Sequence, residues 1–307
     1  MKRIVIPLIA LSLALAGLLA YRELRNAYRV THNVERGKSS SGYALLDTRY
    51  STTAIDADKF LVPELYESAW TVSPESGPCR SYRGAIVNHH ALASDLIVKV
   101  AREIARCRSE IKTIIILSPD HYSAGIAPVS IHRKSYATTG DLVDIDENSM
   151  NRLREAIPLA GESASLFERE HGVGVIVPFL HRVMPDVALV PVAIKSSIDT
   201  SQRLQLTKWL SGESKRGNFI LVSSDMSHYL DDSVAIKNDE ATKRALVDSD
   251  SDFFASAKDG FTDNGPSIAA TIAALQPKRW QLIDQAISSD YAGSNGFTTT
   301  YLIGFWN

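Results

Sequence analysis

Three polar turns carry the side chains best suited to chemistry: Asn88-His89-His90, Asp120-His121, and Ser223-Ser224-Asp225-Met226-Ser227-His228. Histidine is the commonest metal ligand and the side chain most easily tuned for proton transfer near neutral pH. A lone histidine in a loop means little, but each of these turns follows a short apolar run. His90, His121 and His228 therefore hold equivalent topological positions, and metal binding or acid/base function is the chemistry they would share. His89 and His90 are neighbours, and adjacent residues on an extended chain point apart, so only one of the two should enter a common site. Asp120 and Asp225 precede two of these histidines. A carboxylate there could orient a metal-bound imidazole and fix its tautomer, or simply take a turn hydrogen bond. Ser223 and Ser224 could be nucleophiles, though no Gly-x-Ser-x-Gly elbow surrounds them. His171, beside Glu170 at a predicted helix start, could line the crevice or sit at the surface.

The runs before these turns, residues 84–87, 114–117 and 219–222, are short, continuous and rich in β-branched residues, as expected of strands buried on both faces. In an open parallel sheet the carboxyl ends of the strands share one edge, where ligands bind, so the three turns should meet. A helix over residues 94–107 with Leu96, Ile97, Val100 and Ile104 on one face links the first two strands into a βαβ unit. Further strands are expected at 127–131, 187–194, 280–287 and 298–306. Further helices are expected from an Asp146 N-cap and at 200–210, 233–247, 252–257 and 267–275. Residues 168–184 have helical spacing that Pro178 should end or kink. Residues 136–141 look like a loop and turn, and 56–70 like a poorly periodic helix interrupted by Pro63. The fold class is α/β: a single domain with a largely parallel central sheet flanked by helices.

The chain has 307 residues, 45% apolar and 22% charged, with a formal charge of -2. Those values suit a globular protein with a sizeable core, and the absence of a basic stripe gives nucleic-acid binding no support. Lys2 and Arg3 precede an apolar run over residues 4–20, so residues 1–30 read as a signal peptide or an N-terminal membrane anchor. A tilted span needs about 17 to 25 apolar residues. Residues 31–80 read as spacer and lead-in, and 81–307 as the α/β domain. The expected location is extracytoplasmic or periplasmic, with membrane contact through residues 4–20 if they are retained. The two cysteines, Cys79 and Cys107, fall before the first of these strands and at the end of its helix. They could form a disulfide in an oxidising compartment or remain two unrelated thiols.

The blocks Gly84-Ala-Ile-Val-Asn-His-His90, Ile114-Ile-Ile-Leu-Ser-Pro-Asp-His121, Glu170-His171, Val177-Pro-Phe-Leu180, Val190-Pro-Val192 and Val222-Ser-Ser-Asp-Met-Ser-His-Tyr229 resemble the MEMO family, which includes the B component of the AmmeMemoRadiSam system. That family is similar in fold to class III extradiol ring-cleaving dioxygenases, whose site holds non-haem iron. The resemblance implies that His90 and His121 are metal ligands and that His228 is an acid/base histidine, with Asp225 beside it. The family's third ligand is a cysteine in a Cys-Gly turn, and this chain reads Thr262-Asp263-Asn264-Gly265 there. Asp263 could complete a two-histidine, one-carboxylate face that suits iron or another divalent ion, while Asn264 is the strict counterpart in register. The expected function is that of a MEMO-like divalent-metal protein, a metal-dependent redox enzyme acting on a small molecule. The other readings are a binding or scaffold protein with a protein partner and no metal, and a hydrolase using Ser224 and His228.

Overall fold

A computed structural model describes residues 54–74, 77–139, 141–293 and 297–307. The expected leader at residues 1–30 lies outside the described residues. Among those residues, no helix is long and apolar enough to cross a membrane.

The strands, in chain order, are β1 (Ala54–Asp56), β2 (Gly84–Val87), β3 (Thr113–Pro119), β4 (Val129–Ile131), β5 (Ser135–Thr138), β6 (Asp141–Val143), β7 (Gly161–Glu162), β8 (Ala188–Ile194), β9 (Phe219–Ser223), β10 (Trp280–Ile287) and β11 (Thr300–Trp306). Eight of them form one sheet in the order β10-β11-β2-β9-β3-β8-β4-β7. Its centre, β2-β9-β3-β8, is parallel throughout. Strand β11 runs antiparallel to β2, and β4 antiparallel to β8. The three strands that end in histidine turns are thus immediate neighbours running the same way, and their carboxyl ends share an edge.

Apolar side chains leave each central strand on both faces, so both faces need cover. Ile114, Ile116, Phe219 and Leu221 enter one core with Leu96, Val100 and Ile104 of the helix Ser94–Cys107 and with Phe179 of the helix Val177–Val183. Ile115, Leu117, Ile220 and Val222 enter the other, with Leu153, Trp209, Leu210, Ile268 and Ile272 from the helices Glu147–Ala156, Thr200–Lys215 and Gly265–Leu275. The result is a mixed α/β domain with a central sheet between helical layers.

Several elements differ from expectation. The expected loop and turn at 136–141 is in large part strand: β5 pairs antiparallel with β6 and parallel with β1, making a separate three-stranded sheet with Thr139 in the turn. Pro63 and Pro178 do not interrupt helices; each sits in the first turn of one, Pro63–Ala69 and Val177–Val183, where a missing N–H costs nothing. The expected helix over 168–184 is two short ones, His171–Gly174 and Val177–Val183. The N-cap expectation at Asp146 holds, since its side chain accepts from Ser149 N.

Cys79 and Cys107 are joined as a disulfide. The helix Ser94–Cys107 runs back along β2, so the bridge lies at the sheet end away from the histidine turns. Closing a loop of this size contributes about 3 to 4 kcal/mol by restricting the unfolded chain. Replacing both cysteines by serine should lower unfolding free energy in urea by that amount while leaving the histidine edge folded. An unchanged unfolding midpoint would contradict this.

Asp239, on the helix Asp232–Asp248, is buried and accepts from Thr300 Oγ1 at 2.7 Å and Ser227 Oγ at 3.2 Å. It pins the turn after β9 to the start of β11. Burial raises its pKa to about 6, against the lowering effect of the two hydroxyls. The folded-state value exceeds the unfolded one, so its contribution is fully present below about pH 4 and is lost as pH rises through about 6. Asp239→Asn keeps an acceptor and removes the charge. It should be more stable than the wild type at pH 7.5, by up to about 3 kcal/mol, and equal to it near pH 4. Urea unfolding at both pH values measures the difference, and a variant that is weaker at pH 7.5 would overturn the reading.

Candidate metal centre

Parallel pairing carries past the ends of the strands and sets the turns against each other. Ser224 N donates to Val87 O at 2.8 Å, and the amide of His89 donates to Asp225 Oδ1 at 3.0 Å. From there the β2 turn aims His89 inward. The His89 and His121 rings stand 4.9 Å apart, and His171 stacks on His121 at 4.4 Å. His89, His121 and His171 each offer a ring nitrogen, all within 4.8 Å of one another, so the three are positioned to hold a metal ion.

The structure corrects the choice between the paired histidines. His90 does not join this group; its Nδ1 lies 2.6 Å from Tyr301 Oη instead. The reason is the one that allowed only one of the two: successive side chains on an extended backbone diverge, and the bond from His89 N to Asp225 fixes which one turns inward.

Three histidines present the same nitrogen to one point. His228 Nδ1 donates to the carbonyl of Met226 at 2.6 Å. His121 Nδ1 donates to Glu170 Oε1 at 2.7 Å, and the amide of His121 donates to Glu170 Oε2 at 3.0 Å. His89 Nδ1 meets Ser223 Oγ at 2.9 Å, and that hydroxyl gives its only proton to Gly172 O at 2.5 Å, so Nδ1 is the donor. With Nδ1 protonated in all three, each neutral ring turns a bare Nε2 outward. Those Nε2 atoms lie 3.1 Å (His89), 3.3 Å (His121) and 3.8 Å (His228) from Asp263 Oδ2. Four acceptors therefore face one another, an arrangement that is stable only with a cation among them, whether protons or a metal ion.

With protons alone, His121 serves as that cation: burial lowers its pKa, but hydrogen bonds to Asp263 and Glu170 push it up to about 11. Burial also opposes charge on His89, and the Asp225 and Asp263 carboxylates still raise its pKa. Burial would raise Asp263, yet the His89 charge and the His121 hydrogen bond hold it well below the usual carboxylate range. Glu170 is buried, and its bond to His121 keeps it ionised, with a pKa of about 2. His171 is driven down to about 3 by burial and by the charge of His121, so it stays neutral. Metal–ligand bonds of about 2.1 Å at right angles put neighbouring donor atoms about 3 Å apart. The spacing from Asp263 Oδ2 to the His89 and His121 Nε2 atoms is compatible with that geometry.

The register question between Asp263 and Asn264 also resolves. Asn264 Nδ2 donates to Leu117 O at 3.1 Å and Ser223 O at 2.8 Å, tying the loop to the ends of β3 and β9. Its amide nitrogen is taken up by those two carbonyls, and it is the Asp263 carboxylate that lies against His89 and His121. Gly172 allows the His171–Gly174 turn to lie against β3, because a Cβ there would collide with Ser118 Oγ.

Two readings left open by the sequence are decided. Asp120 accepts from Ala124 N and Gly125 N, a turn function. Ser224 is fully buried and bonded to Thr262 Oγ1, Asp263 Oδ1 and the carbonyl of Asp225. Its hydroxyl meets no histidine, and His228 Nδ1 is bound elsewhere, so the Ser224–His228 pair of the hydrolase reading is not formed. Sequence reasoning undervalued His171 and passed over Glu170 as the partner of His121. The available signal was Glu170 itself, a carboxylate N-cap that accepts from Gly172 N at 2.8 Å at a helix start.

Among curated proteins, the chain is 25% identical over 249 residues to a MEMO1 family protein of Caldivirga maquilingensis, covering 73% of this chain and 86% of that one. It is 29% identical over 130 residues to the MEMO1 family protein PAE0818 of Pyrobaculum aerophilum, covering 41% and 46%. Among solved structures, the uncharacterized protein JW3007 of Escherichia coli K12 matches in fold, with a TM-score of 0.52 and 13% identity over 73% of this chain and 99% of that one. The profile of the family described as Memo-like protein matches residues 63–302, and the chain belongs to that family.

Proposed function

We propose that this chain is a divalent-metal protein, with iron the favoured ion, held by His89 Nε2, His121 Nε2 and Asp263. The observation that carries the proposal is the convergence of bare Nε2 atoms on the Asp263 carboxylate. A set of two imidazoles and one carboxylate suits non-haem Fe(II), which supplies redox capacity and open positions for a small molecule and oxygen. His90, the ligand expected from sequence, is replaced by His89 in this assignment.

The chain's own residues have separable parts. Glu170 orients His121 through Nδ1 and holds its backbone as well. Ser223, whose proton goes to Gly172 O, orients His89 through Nδ1 alone. Asp225 acts as a positioning residue, because its carboxylate takes the His89 amide. His228 has its Nδ1 fixed by Met226 and an Nε2 at the rim of the group, where it can accept or return a proton. His171 is a neutral wall stacked on His121. An extracytoplasmic location is supported by the leader-like residues 1–30 and by the Cys79–Cys107 bridge.

Protein purified without chelator should carry about one equivalent of metal by elemental analysis. His89→Ala and His121→Ala should each lose it. Asp263→Ala should weaken metal affinity about tenfold or more, while His90→Ala and His171→Ala should keep the stoichiometry. Unchanged metal content in both the His89 and His121 variants would sink the assignment.

A further inference from the structure

His90 differs from the other histidines of this edge in which nitrogen it offers. Tyr301 is fully buried, and among the described residues its hydroxyl has one hydrogen-bond partner, His90 Nδ1 at 2.6 Å. A buried hydroxyl without another acceptor directs its proton to the partner it has. Nδ1 is then the acceptor and Nε2 carries the hydrogen. This is the opposite tautomer to His89, His121 and His228. The Nε2–H of His90 has no hydrogen-bond partner among the described residues, although His90 is only partly exposed and lies within electrostatic reach of Asp225, His89 and His228.

We infer that His90, held in its Nε2–H form by Tyr301, is a hydrogen-bond donor at this edge of the sheet and anchors an oxygen-bearing or anionic group of the ligand. The surroundings favour that class. With the rings neutral, the side chains turned to the centre, Asp263 and three Nε2 atoms, are acceptors. A small anion or carbonyl compound drawn to a cation at that centre needs a donor beside it, and the fixed His90 Nε2–H supplies one. Tyr301 acts through His90 and is a positioning residue. The inference rests on the metal-binding reading above and adds the ligand class to it.

The test uses the full chain loaded with Co(II), with azide as the probe and visible absorption as the readout. Metal content is measured first in every variant. His90→Phe should retain Co(II) and bind azide about tenfold or more weakly, the loss expected for one hydrogen bond to a charged group. His90→Gln, which keeps a donor, should recover much of the affinity. Tyr301→Phe, which frees the tautomer without touching the imidazole, should fall between the two. Unchanged azide affinity in His90→Phe and Tyr301→Phe with full Co(II) overturns the inference and leaves the metal assignment standing. Loss of Co(II) from His90→Phe makes His90 a ligand and overturns it as well. A wild-type chain that takes up no Co(II) overturns the metal reading first, and this inference with it.

Discussion

The edge of the sheet is governed by one electrostatic constraint: with their rings neutral, His89, His121 and His228 turn Nε2 lone pairs toward the Asp263 carboxylate, so the group holds together only when protons or a metal ion supply positive charge. Lone pairs brought together away from water repel unless a positive charge lies between them. The remaining features of the site keep that arrangement from relaxing. Met226 O, Glu170 and Ser223 each hold an Nδ1–H, so no ring can flip to offer a donor without breaking a hydrogen bond that is at least partly buried. Binding a cation relieves the repulsion that folding has created.

The sheet makes this possible because its central strands are parallel and adjacent. Strands β2, β9 and β3 end together, so residues more than a hundred positions apart in the chain arrive within ångströms. Asn264 then fastens the loop bearing Asp263 to two of those ends, and Gly172 lets the Glu170–His171 turn close against a third side. The bridge between Cys79 and Cys107 and the Asp239 anchor stabilise parts of the same layers without entering the site. The bridge stabilises the sheet at the end away from the histidines, whereas Asp239 steadies the turn that carries His228.

Much of this was legible in the residues. Apolar runs 84–87, 114–117 and 219–222 read as buried strands, and their turns as a shared edge, because β-branched continuity and abrupt polar stops are local signals. Which of His89 and His90 turns toward Asp263 was not legible, for a physical reason. A strand apolar on both faces has no alternation to say which way the next side chain points, and the deciding hydrogen bond comes from Asp225, far along the chain. Pro63 and Pro178 were misread because a proline in the first turn of a helix and one that breaks a helix look alike until the start of the hydrogen-bonded ladder is known. The β5–β6 hairpin was missed because its strands are short and their third partner, β1, lies some eighty residues earlier.

The most direct test of the central claim is anomalous diffraction from crystals of the full chain, collected on both sides of the absorption edge of the bound metal. The account predicts a single strong peak among His89 Nε2, His121 Nε2 and Asp263 Oδ2, with both Nδ1 atoms still facing Ser223 and Glu170. A metal peak beside His90, or imidazoles turned away from Asp263 with no ion among them, would contradict it.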